Sequence, residues 1–127
     1  KGNLLNFGWA IASYGEHYGG KNSPGNVEKY KKYPLYKSHS DHGFIEPLHA
    51  FVPSIGISEI TKIGDDNYVV SSMKDKSLYF FNLNKDKTIQ AFERVEVFER
   101  VRDMNFKNGK LFLFLENTAS IGVISIE

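Results

Sequence analysis

The sequence predicts an all-β fold of the β-propeller type, and three observations carry that prediction. Residues 60–83 and 103–126 read as one pattern written twice, 43 positions apart and without a gap. Ile63 falls on Phe106, Tyr68 on Leu111, Val70 on Leu113, Leu78 on Ile121, Phe80 on Val123 and Leu83 on Ile126. A repeat of about 40–45 residues made of short strands is the spacing of one propeller blade. Every segment after residue 57 is rich in Val, Ile, Phe and Tyr with partial alternation, and polar turns separate the segments. Finally, 41% hydrophobic and 14% aromatic residues are enough for one domain of 127 residues to bury a core.

Taken in order, Phe7-Gly8-Trp9-Ala10-Ile11-Ala12-Ser13-Tyr14 is a short apolar segment bounded by glycines and reads as a strand, with Trp9 in the core. Residues 19–47 read as loop throughout, on Gly19-Gly20, Pro24-Gly25, Pro34, Gly43 and Pro47 around a Lys/Tyr/His-rich middle. A loop of that length signals function or flexibility. Strands follow at 57–63, 67–73, 77–83 and 88–98, then at 101–106, 110–116 and 120–126. The Glu and Arg content of Ile89 to Val101 suits a helix, but Ile89, Val95, Val97 and Val101 are β-branched and the repeat needs an outer strand there. The first set forms a complete four-stranded antiparallel blade and the second lacks its outer strand. The expected organisation is therefore a partial propeller domain over 1–127, with a strand and long loop in 1–56, one blade in 57–98 and an incomplete blade in 99–127.

Sixteen basic against 15 acidic residues give a net charge of +1, which offers no electrostatic case for nucleic acid or a membrane surface. No apolar run approaches the roughly 18 residues of a spanning helix. With no cysteine, disulfide frameworks and thiolate metal sites are excluded. Lys1-Gly2-Asn3 shows neither an initiator Met nor a signal-like apolar stretch, and Glu127 follows directly on a strand pattern, so both ends read as cut and the chain as a piece of a longer protein.

Blade topology places the loops. If strands a to d of a blade alternate in direction, the d–a and b–c connections open on the same face. Those connections hold His49 to Ser58, Met73-Lys74-Asp75-Lys76, Glu99-Arg100-Val101-Arg102-Asp103 and Glu116-Asn117-Thr118-Ala119. Lys74, Arg100 and Arg102 thus converge from separate stretches of sequence. A blander reading is also open. Lys74 would be a solvated turn tip, and the arginines would pair with Glu99, Asp103 or Glu96, where surface pairs contribute about 0–1 kcal/mol and imply no site.

Four segments resemble the PQQ-dependent soluble sugar dehydrogenases, the glucose/sorbosone dehydrogenase family. Asn6-Phe7-Gly8-Trp9-Ala10-Ile11-Ala12-Ser13-Tyr14-Gly15 resembles N-Y-G-W-P-x-x-S-Y-G, with Ala10 in place of Pro. Glu46 to Ile55 resembles P-x-x-x-W-x-P-S-I, with Phe51-Val52 where an aromatic such as Trp stands over the cofactor. Ser71-Ser72-Met73-Lys74 resembles the strand end that presents a cofactor-binding lysine, and Phe98 to Met104 resembles R-x-R-D-V with its two cofactor-binding arginines. Order and spacing agree over nearly the whole chain outside 21–42.

The resemblance implies a six-bladed propeller that oxidises aldoses and related polyols with PQQ, often with calcium, in a periplasmic or secreted setting, and passes electrons to an external acceptor. This chain would supply roughly the C-terminal third. The family's catalytic histidine and main calcium ligands have no counterpart in it, so no catalytic and no metal residue is assigned and the segment alone is expected to be inactive. The implied cofactor contacts are Lys74, Arg100 and Arg102 as a cation set, with His49 and Phe51 as part of a flat wall. PQQ carries three carboxylates and an ortho-quinone, which suits convergent Arg and Lys beside an aromatic surface. The alternative is a non-catalytic propeller that binds a protein or glycan.

The other candidates weigh less. His39-Ser40-Asp41-His42 offers too few ligands for zinc. His17 reads as a loop residue, and the Lys29 to Lys37 strip with its tyrosines reads as a solvated loop. No phosphate loop, nucleophile elbow or paired-carboxylate motif is present.

Overall fold

The computed structural model describes residues 4–126. The chain divides into two compact units, Lys1–Pro53 and Ser54–Glu127.

The first unit holds one short helix, α1 (Asn26–Lys32), and a 3₁₀ turn at Ser40–His42. The strand expected over residues 7–14 is absent. The Gly8 carbonyl accepts from Ile11 N (2.7 Å) and Ala12 N (2.8 Å), which curls the segment into a turn, and only an isolated bridge joins Ala12 to Tyr36. That turn buries Ala12 and leaves Trp9 80% exposed, so Trp9 is not a core residue of this unit. The expectation of loop throughout 19–47 also fails at α1. Pro24-Gly25 and Pro34 bracket a stretch free of both residues, with Glu28 in the first turn and Lys29, Lys31 and Lys32 in the last, as the helix dipole favours. Only Asn26 of this helix is buried, so it has no apolar stripe to reveal it.

Polar contacts hold this unit together. Glu46 Oε1 accepts from His39 N (2.8 Å) and Ser40 N (2.7 Å), and Glu46 Oε2 accepts from the Tyr14 hydroxyl (2.8 Å). Those donors, Ser40 N–H first, hold the Glu46 carboxyl down at about 2. Glu16 binds Lys37 Nζ (3.1 Å) and the Tyr30 hydroxyl.

The second unit is all strand. β1 (Ile57–Lys62), β2 (Asn67–Ser72), β3 (Ser77–Leu83) and β4 (Ile89–Glu96) form an antiparallel sheet in chain order. β5 (Val101–Lys107), β6 (Lys110–Leu115) and β7 (Ser120–Ser125) form a second one. These are two consecutive propeller-type blades, of four and three strands. β-Branched and aromatic residues fill the strands, and Ile89–Glu96 is strand rather than helix.

The core lies between the sheets. Val69 and Leu78 of the first meet Val101, Met104, Leu111 and Leu113 of the second, and Ile63, Phe80, Phe106, Ile124 and Ile126 pack against them. A fully buried Leu or Val contributes about 1.5–3 kcal/mol. The Ser58 hydroxyl donates to the Val101 carbonyl (2.5 Å) across the same seam and meets the Ser71 hydroxyl at 2.8 Å.

The repeat is not gapless in space. Ile57 pairs with Ser72 and Val101 with Leu115, so the second strand of each blade is displaced by 43 positions but the first by 44. The counterpart of Phe106 is therefore Lys62 and not Ile63, since Phe106 pairs with Leu111 and Lys62 with Tyr68. The cause is turn chemistry. Ile63 N bonds Asn67 O, which leaves three residues in the first turn. Lys107 pairs with Lys110, which leaves Asn108-Gly109 with φ of 53° and 71°, a two-residue turn in which both central residues are left-handed.

Candidate functional site

Each blade ties its incoming connection to its own second hairpin. In the first, Met73 N bonds Gly56 O (2.8 Å), while Lys74 N (3.0 Å) and Asp75 N (3.2 Å) bond Ile55 O. Ile55 and Gly56 belong with the sheets for this reason. Gly56 has a φ of 65°, and a Cβ there would lie 3.2 Å from both Lys74 N and Lys74 Cβ, so the close approach requires glycine. In the second blade, Glu116 N bonds Arg100 O (3.0 Å), and Thr118 N (3.3 Å) and its hydroxyl (3.2 Å) donate to Glu99 Oε2.

This framework brings the two arginines together. Arg102 is the additional residue of a β-bulge between Val101 and Asp103, and a bulge re-aims the side chain it carries. Arg100 Nε and Arg102 Nε both reach Glu116 Oε2 at 2.7 Å. Their outer nitrogens turn to Met73, with Arg102 Nη1 at 3.3 Å and Arg100 Nη2 at 3.8 Å from Sδ. Hydrogen bonds from Arg100 first and Arg102 second lower the Glu116 carboxyl below its ordinary range. One carboxylate thus offsets the repulsion between two guanidiniums and aligns their inner edges.

The carboxylate they reach is Glu116, not one of the neighbours the bland reading named. Glu116 and Met73 are the two residues that sequence reasoning did not single out. The signal was there: both lie in second-hairpin segments that the blade topology assigned to the same end.

Lys74 is exposed at the hairpin tip, next to Met73 in the chain. Its neighbour Asp75 is committed elsewhere, to Arg94 Nε (2.8 Å) and the Tyr79 hydroxyl (2.6 Å). Those two partners, Arg94 first, lower the Asp75 carboxyl from 3.8 to about 2. A carboxyl whose pKa falls on folding adds stability above its unfolded value and loses it as pH drops through its folded value. The stability of Asp75→Asn is therefore expected to fall less steeply than wild type between 3.8 and about 2. Urea midpoints measured across that range check this, and parallel curves would refute it.

His49 and Phe51 lie in the first unit and pack edge to face, ring centres 4.6 Å apart. The histidines at the two ends of the Ser40–His42 turn, His39 just before it and His42 in it, are used structurally. His39 Nδ1 meets Phe7 O (2.7 Å) and His42 Nδ1 meets Ser38 O (3.0 Å). Among the described residues, no group of three or more His, Asp or Glu could hold a metal ion. His17 Nε2 meets Tyr33 O at 2.6 Å.

A groove of about 450 Å³ lies at the other end of the strands, lined by Ile63, Asn67, Phe80, Asn82, Glu93 and Phe106 among others. It contains none of the predicted cations. Among the described residues, no helix is long and apolar enough to cross a membrane.

Residues 2–123 match the protein-family model described as Glucose / Sorbosone dehydrogenase. No curated protein and no solved structure matches the chain.

Proposed function

This chain belongs to the glucose/sorbosone dehydrogenase family, and from that premise we propose that it contributes the cationic cofactor contacts of a PQQ-dependent enzyme that oxidises an aldose or related polyol. The family implies a small-molecule substrate. The observation that carries the cofactor reading is the convergence of Arg100 and Arg102, aligned on Glu116, with their outer N–H groups directed to one point.

The donor set fits the group. Arg100 and Arg102 share the single carboxylate of Glu116, which leaves their pair one positive charge in excess, suited to a carboxylate, and Lys74 is a further exposed cation next to Met73 in the chain. Arg presents paired donors to a carboxylate, and Lys acts as a compact charge near an oxygen. PQQ, when bound, supplies an ortho-quinone that accepts two electrons from the sugar. The role of Lys74 is to offset negative charge at a quinone oxygen, which lowers the barrier because the cation is already in place. Arg100 and Arg102 anchor carboxylates. His49 and Phe51 are proposed as aromatic surface for the ring system. Calcium, an external electron acceptor and a periplasmic or secreted location are proposed on the family alone.

The test is to add PQQ and calcium to the full-length protein and follow sugar-dependent reduction of a dye. Turnover that requires PQQ is expected. No PQQ retained at micromolar concentration would instead leave a propeller that binds a protein or glycan.

A further inference from the structure

The second contact of the arginines is chemically odd. Two charged N–H donors, from Arg100 and Arg102, aim at one thioether sulfur. A thioether is a weak acceptor and carries no charge. Donors so placed are better matched by a carboxylate, which takes N–H bonds from a guanidinium at about twice the strength of neutral ones. Glu116 already fills the inner edges of both guanidiniums, so only the outer edges, now on Met73, remain to receive a ligand. Methionine is unbranched with three rotatable bonds and can withdraw at little cost.

We propose that Met73 is a displaceable stopper in a carboxylate subsite formed by Arg100 and Arg102 and aligned by Glu116, and that oxidation of its sulfur closes the subsite. The identity of the entering carboxylate rests on the cofactor reading above; the stopper itself does not. The oxidant is a peroxide. Its O–O bond breaks, one oxygen forms S=O on Met73, the sulfur loses two electrons, and hydrogen peroxide leaves as water. The sulfoxide oxygen is a strong acceptor within reach of the same two donors, so it holds them against an incoming carboxylate. Selectivity follows from burial. The chain has two methionines, and Met104 is only 6% exposed, inside the core between the sheets, whereas Met73 sits at a hairpin end.

The test uses the full chain labelled with ¹³C-methyl methionine, the Met73 signal being identified by its loss in Met73→Leu. PQQ and citrate, a second polycarboxylate, are titrated separately, with equilibrium dialysis measuring binding. The Met73 methyl is expected to shift in step with bound ligand. After hydrogen peroxide, peptide mapping is expected to place the oxygen on Met73 and the affinity for PQQ to fall about tenfold. Met104→Leu should keep that response, and Met73→Leu should lose it. Bound PQQ with an unmoved methyl, or oxidised Met73 with unchanged affinity, overturns the stopper and leaves the cofactor reading intact. Displacement by citrate without PQQ binding keeps the subsite and overturns the cofactor reading. Binding of neither ligand, with an unmoved methyl, overturns both.

Discussion

Arg100→Ala is expected to weaken PQQ binding about a hundredfold while leaving the fold in place. Hydrogen bonds to charged groups contribute about 1.5–3 kcal/mol, and each 1.4 kcal/mol is tenfold in affinity. The loss should sit near the upper end because Arg100 has two functions. It offers its own outer N–H groups, and with Arg102 it shares Glu116 Oε2, so its removal leaves Glu116 with a single guanidinium. Arg100→Lys should recover little, since an ammonium cannot serve Glu116 and a ligand from opposite edges as a planar guanidinium does. Stability should change by no more than about 1 kcal/mol, because the Arg100 side chain is 40% exposed and such pairs contribute little. Equilibrium dialysis with PQQ, beside urea unfolding, separates the two effects. Full affinity in Arg100→Ala would refute the assignment, and loss of folding would show that the pair is structural.

Leu78→Ala should cost about 3 kcal/mol, and Ile121→Ala less than about 1 kcal/mol. By the repeat the two positions are equivalent. In the structure Leu78 is fully buried among Val69, Val101 and Leu111, whereas Ile121 is 59% exposed. The first loses packing on all sides and leaves a cavity. The second loses an exposed side chain on the face of its sheet turned away from the core. Urea unfolding of both variants tests the contrast. Equal losses would mean that Ile121 is covered in the folded protein.

The strands were legible because their signal is local. Val69-Val70, Leu78 to Phe81 and Leu111 to Leu115 combine β-branched, aromatic and Leu residues between polar turns, and all seven expected strands formed within two residues of their expected ends. The first unit was harder to read. Glycines and prolines punctuate residues 7–47, yet the seven residues of α1 contain neither, and the Gly8 turn depends on which donors find its carbonyl. Register was also hidden. Gly64-Asp65-Asp66-Asn67 and Lys107-Asn108-Gly109-Lys110 align position by position in sequence. One nevertheless closes with three turn residues and the other with two, and a one-residue slip sends a strand's side chains to the opposite face. Counted in register, Val101 and Met104 match Ile57 and Ile60, yet the first two lie in the core and the last two are more than half exposed, because it is the second sheet that turns this face toward its neighbour.

By itself the sequence determined the all-β class, the two successive blades and the end of the sheets at which Lys74, Arg100 and Arg102 emerge. These follow from residue type and spacing, which act within a strand and its turn. Only the tertiary structure decided that Arg100 and Arg102 share Glu116, that Met73 faces their outer edges, and which copy of each repeated residue is buried. Those outcomes depend on hairpin register and on packing between segments 16 to 43 residues apart, where the energy of a contact is set by what the closed chain places opposite it.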